Sequence, residues 1–357
     1  MRLITIIIND NMQLTNPLRP IVLIVVILFS SPCALLAKEE KSIRVGFFPN
    51  LTHAQPLVGL ARGSFQERLG ADVKIDTKLF NAGPALMEAV FAGGIDIGYI
   101  GPGPMINGFI RSGGEIVRMV AGAASGGAVF VVRQDVKIDS PKDLEGKTLA
   151  SPQLGNTQDI SLRIYLRNIG LKPKGSGGNV RVIPIHNPDI MNLFREKQID
   201  GAWVPEPWGA RLVRETGGRV FLDERDLWQN KKFATASIIV TTGFLLEYPE
   251  LVEKWLRAHV EVTEWINAHP EEAKEIINAE LKRITTKGLP KEILNEAFGR
   301  VEFTYAPLVE SINTFADYAY ELGFLRQKPD LSNLYQLDLL NKVLTEDGLG
   351  PITAAIE

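Results

Sequence analysis

The stretch IRVGFFPNLTHAQPLVGLARGSFQERLGADVKIDTKLF, residues 43–80, decides the fold class of this chain. Its two ends, residues 43–49 and 71–80, are rich in apolar and β-branched side chains and predict strands. The segment between them has helical spacing and ends at Gly70. Short connections between a strand, a helix and a second strand favour parallel strands covered by helices. We therefore predict an α/β fold.

The same alternation continues to residue 224. Further runs that predict strands are residues 95–101, 115–123, 147–152, 179–187, 199–205 and 219–224. Two more strand-like runs, residues 128–133 and 234–242, stand at the joins between two α/β units, and two extended crossings indicate that the second unit is inserted into the first. We predict domain one from residues 38–127 and 241–357, with a helical C-terminal part, and domain two, with the crossover strands, from residues 128–240.

The N-terminus has the order of a secretory signal. An apolar block at residues 21–29 follows a basic residue, precedes small residues and is too short to span a membrane. We predict a signal peptide at residues 1–37, with Met12 as an alternative start and an uncleaved anchor as the alternative interpretation. Its removal takes away Cys33, the single cysteine, and leaves neither a disulfide nor a thiol nucleophile. We expect an exported, periplasmic protein.

Composition and motifs argue against several classes of protein. The 357 residues carry 39 basic and 42 acidic side chains, a net charge of −3, which gives no support for a nucleic-acid binder. The sequence has no G-x-S-x-G, H-E-x-x-H, Walker A or paired C-x-x-C motif, and its four histidines lack metal-ligand spacing. We predict a monomer that is not an enzyme and uses no cofactor or metal.

Small and polar residues follow three of the predicted strands, where a helix begins. They are Asn50, Thr52 and His53; Gly101, Gly103 and Pro104; and Gly155, Asn156 and Thr157. Ligands of open α/β sheets bind at the carboxyl ends of the strands, and helix N-termini favour anions. None of the three loops contains Lys or Arg, so we predict that neutral N–H and O–H groups hold a compact anion. The alternative is that these residues are only helix caps and turn residues.

A fourth loop, WVPEPW at residues 203–208, follows another predicted strand. Its two tryptophans, Trp203 and Trp208, and its two prolines would form a stiff aromatic wall of a small ligand site, and Glu206 would meet an amine or orient a neighbouring group. The alternative is a tryptophan-capped domain edge with a solvated Glu206.

Four segments together resemble one protein family: GFFPNLTHA, GYIGPGPMI, SPKDLEGKTLASPQLGNTQD and AWVPEPW. Over residues 42–325 the chain is similar to the periplasmic solute-binding proteins of nitrate/sulfonate/taurine-type ABC importers, including those for aliphatic sulfonates. The resemblance implies a two-domain periplasmic binding protein (type II) that closes on a ligand and presents it to a permease in the inner membrane. It implies a ligand site that includes Asn50, Thr52, His53, Gly103, Pro104, Asn156 and Thr157, with Trp203 and Glu206 as further candidates.

We therefore expect the solute-binding component of an ABC importer for a small organic anion, an alkanesulfonate or a related compound. Two alternatives stay open. A receptor for a thiamine-precursor pyrimidine would stack the ring on the corner formed by Trp203 and Trp208. A biosynthetic enzyme of the same fold is the other alternative, and the predicted signal peptide argues against it.

Overall fold

The computed structural model describes residues 41–352. The predicted signal peptide at residues 1–37, the alternative start Met12 and Cys33 lie outside these residues. Within the described range, no helix is both long and apolar enough to cross a lipid bilayer.

The first of two sheets has six strands. They are β1 (Lys41–Phe47), β2 (Val73–Leu79), β3 (Ile97–Ile100), β4 (Val117–Gly126), β10 (Ala234–Thr241) and β11 (Val301–Phe303), in the order β11-β4-β10-β3-β1-β2. Alternate residues of β1, namely Ile43, Val45 and Phe47, are buried in one apolar cluster, because successive side chains of a strand point to opposite faces.

The second sheet has five strands. They are β5 (Ala128–Arg133), β6 (Thr148–Pro152), β7 (Arg181–Ile185), β8 (Gly201–Pro205) and β9 (Gly218–Asp223), in the order β7-β6-β8-β5-β9. Both faces of this sheet are buried, since Val129 and Val131 of β5 lie in one apolar cluster and Phe130 and Val132 lie in another. A strand covered on both faces is a continuous apolar run, as residues 128–132 are.

The prediction of parallel pairing is right for part of each sheet. β1 is parallel to β2 and β3, and β6 is parallel to β7 and β8. β10 is antiparallel to β3 and β4, β5 to β8 and β9, and the unpredicted β11 to β4. β5 follows β4 and β10 follows β9 from the other sheet, so neither strand enters its own sheet through the crossover helix that joins parallel neighbours.

The chain passes between the sheets twice, which confirms the predicted insertion. The first passage, from β4 to β5, is made by Gly126 and Gly127, whose φ angles are 71° and 73°. Glycine adopts this left-handed conformation without a steric penalty, and a Cβ on Gly127 would lie 2.6 Å from Cγ2 of Val301. The second passage, from β9 to β10, covers residues 224–233.

The strand β10, most of which lies in the range predicted for domain two with the crossover strands, pairs between β4 and β3 in the six-stranded sheet. The strand therefore completes the first sheet after the chain returns from the second. Below, the six-stranded sheet with its helices is called the first lobe, and the five-stranded sheet with its helices is called the second lobe.

Helices cover both sheets. In the first lobe they are α1 (Ala54–Ala61), α2 (Ser64–Leu69), α3 (Gly83–Phe91), α4 (Pro102–Arg111), α8 (Thr242–Glu247), α9 (Pro249–Ala268), α10 (Pro270–Thr285), α11 (Lys291–Phe298), α12 (Val309–Glu321) and α13 (Asp338–Glu346). In the second lobe they are α5 (Thr157–Asn168), α6 (Asn187–Arg195) and α7 (Trp208–Thr216). As predicted, the C-terminal helices pack on the first lobe: α9 contacts α1 and α2, and Trp255 stacks on Phe65 with ring centroids 3.9 Å apart.

Candidate functional site

A small cavity lies where strands of both sheets end. Its volume is ≈ 20 Å³, and it has room for a group of about the size of one water molecule. It is lined by Phe48, Asn50, Thr52, His53, Asn81, Ala82, Gly101, Asn156, Thr157, Gln158, Asn187, Pro205 and Thr235. We call this space the inner cavity. Six of the eleven residues predicted for the site line it: Asn50, Thr52, His53, Gly101, Asn156 and Thr157.

The N-termini of four helices, α3, α4, α5 and α6, meet at the inner cavity. The residues that precede them, Ala82, Gly101, Asn156 and His186, make no side-chain hydrogen bond to cap their helices. Unpaired N–H groups give a helix N-terminus a partial positive charge that favours an anion. For Asn156 the alternative of a simple cap does not hold, because its Nδ2 donates to Oε1 of Gln158 instead, at 3.2 Å.

Thr157 joins the two lobes at the cavity. Its Oγ1 accepts a hydrogen bond of 3.3 Å from the backbone N–H of Gly103. A Cβ on Gly101 would lie 2.3 Å from the same Oγ1, so a residue with a side chain cannot stand there without a shift. Gly101 and Gly103 therefore let α4 and α5 approach closely, and the N–H of Gly103 is already paired.

The predicted residues Pro104 and Gly155 lie apart from the lining of the inner cavity. The N–H of Gly155 donates to Oδ2 of Asp159 at 3.0 Å, and Oδ1 of the same carboxylate accepts from Oγ of Ser151 at 2.7 Å. Asp159 thus holds the turn between β6 and α5. The neighbouring Asn156 and Thr157 are free to line the cavity.

His53 is a neutral hydrogen-bonding group in this cavity. It is buried, and burial lowers the pKa of its imidazole to about 3. Its Nδ1 accepts from the backbone N–H of Phe48 at 3.4 Å, so the ring proton is on Nε2. The imidazole contributes a donor without a charge.

Two further residues predicted for the site, Trp203 and Glu206, do not line the inner cavity. Trp203 is fully buried in the core of the second lobe, where its Nε1 donates to Oε2 of Glu224 at 2.7 Å.

Glu206 is also fully buried. Its Oε2 accepts from the N–H of Ala210 at 2.9 Å, and its Oε1 accepts from Nη1 of Arg300 at 2.6 Å. Burial raises the pKa of the Glu206 carboxyl, and Arg300 opposes that rise. Its carboxylate is therefore occupied within the protein.

A larger space opens next to the inner cavity and shares Asn50, Asn81 and Asn187 with it. Its volume is ≈ 710 Å³, within the range of ordinary ligand sites. It is lined by Pro49, Asn50, Asn81, Asn187, Pro188, Met191, Asn192, Arg195, Pro207, Trp208, Arg211, Glu215, Leu281, Thr285, Lys287, Gly288, Leu289 and Pro290. We call this space the outer chamber.

The outer chamber is lined by one tryptophan of the predicted loop at residues 203–208 and by cations that the other three predicted loops lack. Its tryptophan is Trp208, whose Nε1 donates to Oδ1 of Asn50 at 3.1 Å. Arg195, Arg211 and Lys287 line the chamber. The Arg211 guanidinium lies 4.8 Å from the Trp208 ring centroid, and its Nε is 2.8 Å from Oε1 of Glu215. Basic side chains thus surround the entrance and leave the inner cavity neutral.

Sequence analysis missed several residues that line the inner cavity, chiefly Asn81, Gln158, Asn187 and Thr235. Asn81 follows β2 and Asn187 follows β7, each after one residue. They therefore fit the rule that identified Asn50, which is that polar residues between a strand and the next helix line the site. Thr235 lies inside a strand and has no local signal. Among the described residues, no group of three or more His, Cys, Asp or Glu side chains is arranged to hold a metal ion.

Comparisons with known proteins agree with the predicted resemblance. A model of the NMT1-like family matches residues 36–281. A Brucella abortus protein described as a binding protein is 28% identical over 265 residues, which are 74% of this chain and 78% of that protein. The taurine-binding periplasmic protein of Escherichia coli is 27% identical over 221 residues, which are 62% of this chain and 66% of that protein.

Solved structures share the fold. The alkanesulfonate-binding protein SsuA from Xanthomonas axonopodis pv. citri, bound to MOPS, matches 84% of this chain and 100% of its own with a TM-score of 0.70. The two sequences are 18% identical, so this similarity shows the fold alone.

Proposed function

This chain belongs to the NMT1-like family, and on that premise we propose that it is the solute-binding component of an ABC importer. It captures a small organic anion, an alkanesulfonate or a related compound, between its lobes and delivers it to a membrane permease. It acts by binding alone, as a monomer in the periplasm, after the N-terminal segment has directed its export. The names of its relatives support this assignment, since they include a taurine-binding periplasmic protein and an alkanesulfonate-binding protein.

The observation that carries the proposal is the meeting of four uncapped helix N-termini at one cavity between two sheets. Such N-termini attract the oxygens of an anion through backbone N–H groups and aligned peptide dipoles. Thr52, Thr157 and His53 add neutral polar groups at the same place. We propose that one oxygen of the anionic group enters the inner cavity and that the rest of the ligand stands in the outer chamber.

The lobes contribute to this site about equally. Asn50, Thr52, His53 and Gly101 come from the first lobe, and Asn156, Thr157 and Asn187 come from the second. We propose that these seven residues contact the ligand and that a bound ligand therefore bridges both lobes and favours their closure.

A pyrimidine is the second candidate ligand, because Trp208, Asn81 and Asn187 all line the outer chamber. An aromatic face and paired donor and acceptor groups suit a flat heterocycle.

Isothermal titration of the mature protein tests the proposal. The ligands are alkanesulfonates, taurine, nitrate, phosphonates and thiamine-precursor pyrimidines. We expect saturable binding of at least one organic anion and a rise in melting temperature, since a ligand that binds only the folded state stabilises it. Failure of every anion to bind would contradict the proposal, and binding of a pyrimidine alone would replace it with the second candidate.

A further inference from the structure

One polar group at the junction of the two spaces has no hydrogen-bond partner among residues 41–352. Asn187 is the first residue of α6, it is 4% exposed, and it lines both the inner cavity and the outer chamber. Its Oδ1 is buried and makes no hydrogen bond with any described residue. An unpaired buried acceptor costs free energy until a donor reaches it. A ligand that passes from one space to the other could supply that donor.

The site offers no free carboxylate for a positively charged donor. None of the residues that line the inner cavity is acidic. Glu215 lines the outer chamber, but its Oε1 is paired with Nε of Arg211 at 2.8 Å. Glu206 is enclosed with Arg300 and lines neither space.

The surrounding charges oppose an ammonium group as well. Three cations, Arg195, Arg211 and Lys287, line the outer chamber against the single carboxylate of Glu215. An ammonium group that entered this site would lose its water and face a net positive lining, with a neutral amide as its nearest unpaired acceptor.

Resting on the proposed function, we infer that the ligand is an organic oxyanion with an uncharged hydrogen-bond donor, a hydroxyl or an amide N–H, close to its anionic group. That donor pairs with Oδ1 of Asn187 while one oxygen of the anionic group enters the inner cavity. The site discriminates against zwitterions that carry an ammonium group at the same place. It therefore differs in ligand class from a receptor for taurine.

Three ligands of equal chain length test this inference: 2-hydroxyethanesulfonate, ethanesulfonate and 2-aminoethanesulfonate (taurine). By titration calorimetry, we expect the hydroxyl compound to bind roughly two- to tenfold more tightly than ethanesulfonate, the gain of one hydrogen bond. We expect taurine to bind at least about tenfold more weakly than the hydroxyl compound, because its ammonium group is desolvated without a counter-charge. Equal affinity for all three ligands, or a preference for taurine, would overturn the inference and leave the proposed function intact.

Two substitutions assign the effect to Asn187. Asn187→Leu removes the acceptor, so the hydroxyl compound should lose its advantage over ethanesulfonate. Asn187→Asp supplies a carboxylate of the same size, so taurine should gain about tenfold or more relative to the hydroxyl compound. Asn333→Asp is the matched control, because Asn333 is exposed and lines neither space, and it should leave the ratios of the three affinities unchanged.

If the ratios of the three affinities stay at their wild-type values in both Asn187 variants, the role of Asn187 is refuted. If none of the three ligands binds the wild-type protein, the proposed sulfonate function itself is contradicted.

Discussion

The indole Nε1 of Trp208 donates a hydrogen bond of 3.1 Å to Oδ1 of Asn50, and this bond joins the second lobe to the first at the edge of the inner cavity. Both residues also line the outer chamber. The bond can form only when α7 and the segment after β1 lie side by side, so it favours the arrangement of the lobes that encloses a ligand.

Trp208→Phe tests this bond because it keeps an aromatic ring and removes the donor. We expect ligand affinity to fall by a factor of about two to ten, the value of one hydrogen bond, with little change in melting temperature. Titration calorimetry measures the affinity. Trp265→Phe is the control, since Trp265 lies on α9 away from both spaces. An affinity equal to wild type in the Trp208 variant would show that the bond does not contribute to binding.

Gly101→Ala should hold α4 and α5 apart, because the new Cβ would lie 2.3 Å from Oγ1 of Thr157. We expect affinity to fall by roughly tenfold or more, and we expect small-angle scattering to detect a more open protein. Adding Thr157→Ala should restore part of the closure by removing that oxygen. Gly243→Ala is the control, because a Cβ there meets nothing within 4 Å. Tight binding by the Gly101 variant would contradict the proposed close approach.

The buried pair of Glu206 and Arg300 links the lobes at a second place, behind the ligand site. Oε1 of Glu206 is 2.6 Å from Nη1 of Arg300, and the carboxylate is fully buried. Arg300→Met should lower the free energy of unfolding by about 3–5 kcal/mol, because it leaves a buried carboxylate without its counter-charge. Adding Glu206→Gln should recover much of that loss. Urea unfolding measures both variants, and equal stability of the single and double variants would count against the pairing.

Acid should destabilise the protein through His259. Burial lowers the pKa of this imidazole to about 4, while the unfolded chain titrates near 6.5. Below pH 6.5 the unfolded state therefore binds a proton that the folded state does not bind, so the free energy of unfolding falls until the pH reaches about 4. This change lowers the free energy of unfolding by an amount on the order of 3 kcal/mol. Glu224 and His53 also change the stability over this range, so the contribution of His259 is the difference between wild type and His259→Gln in urea unfolding at pH 7 and pH 4.5. The free energy of unfolding of wild type should fall relative to that of the variant as the pH is lowered. His53, with a pKa of about 3, stays neutral as well, so affinity for a sulfonate should not rise between pH 8 and pH 5.

Glu224 should have the opposite dependence on pH. Burial raises the pKa of its carboxyl to about 7, against the lowering effect of hydrogen bonds from Ser161 and Trp203. Between about pH 4.5 and 7 the unfolded state releases a proton that the folded state keeps, so this group lowers stability as the pH rises. Glu224→Gln removes that dependence. The variant should gain stability relative to wild type between pH 5 and pH 8, and a constant difference across that range would contradict the raised pKa.

The sequence predicted much of the candidate site because one physical rule applies along the whole chain. Polar residues that follow a strand and begin a helix meet at the same sheet edge, and on this basis Asn50, Asn156 and Thr157 were found. The same rule covers Asn81 and Asn187, which follow β2 and β7. It could not find Thr235, which lies within β10 and lines the cavity because it stands at the start of that strand, where the chain returns to the first lobe.

By itself, the sequence determined the order of strands and helices and the two crossings, because these follow from local apolar periodicity and from glycine. The tertiary structure decided which side chains face the cleft. Trp203 and Trp208 are five residues apart in one loop, yet one is buried in the core and the other lines the outer chamber. Likewise, Glu206 is bound by Arg300, 94 residues away. Contacts between distant segments depend on how two sheets pack against each other, and no local pattern of residues encodes that geometry.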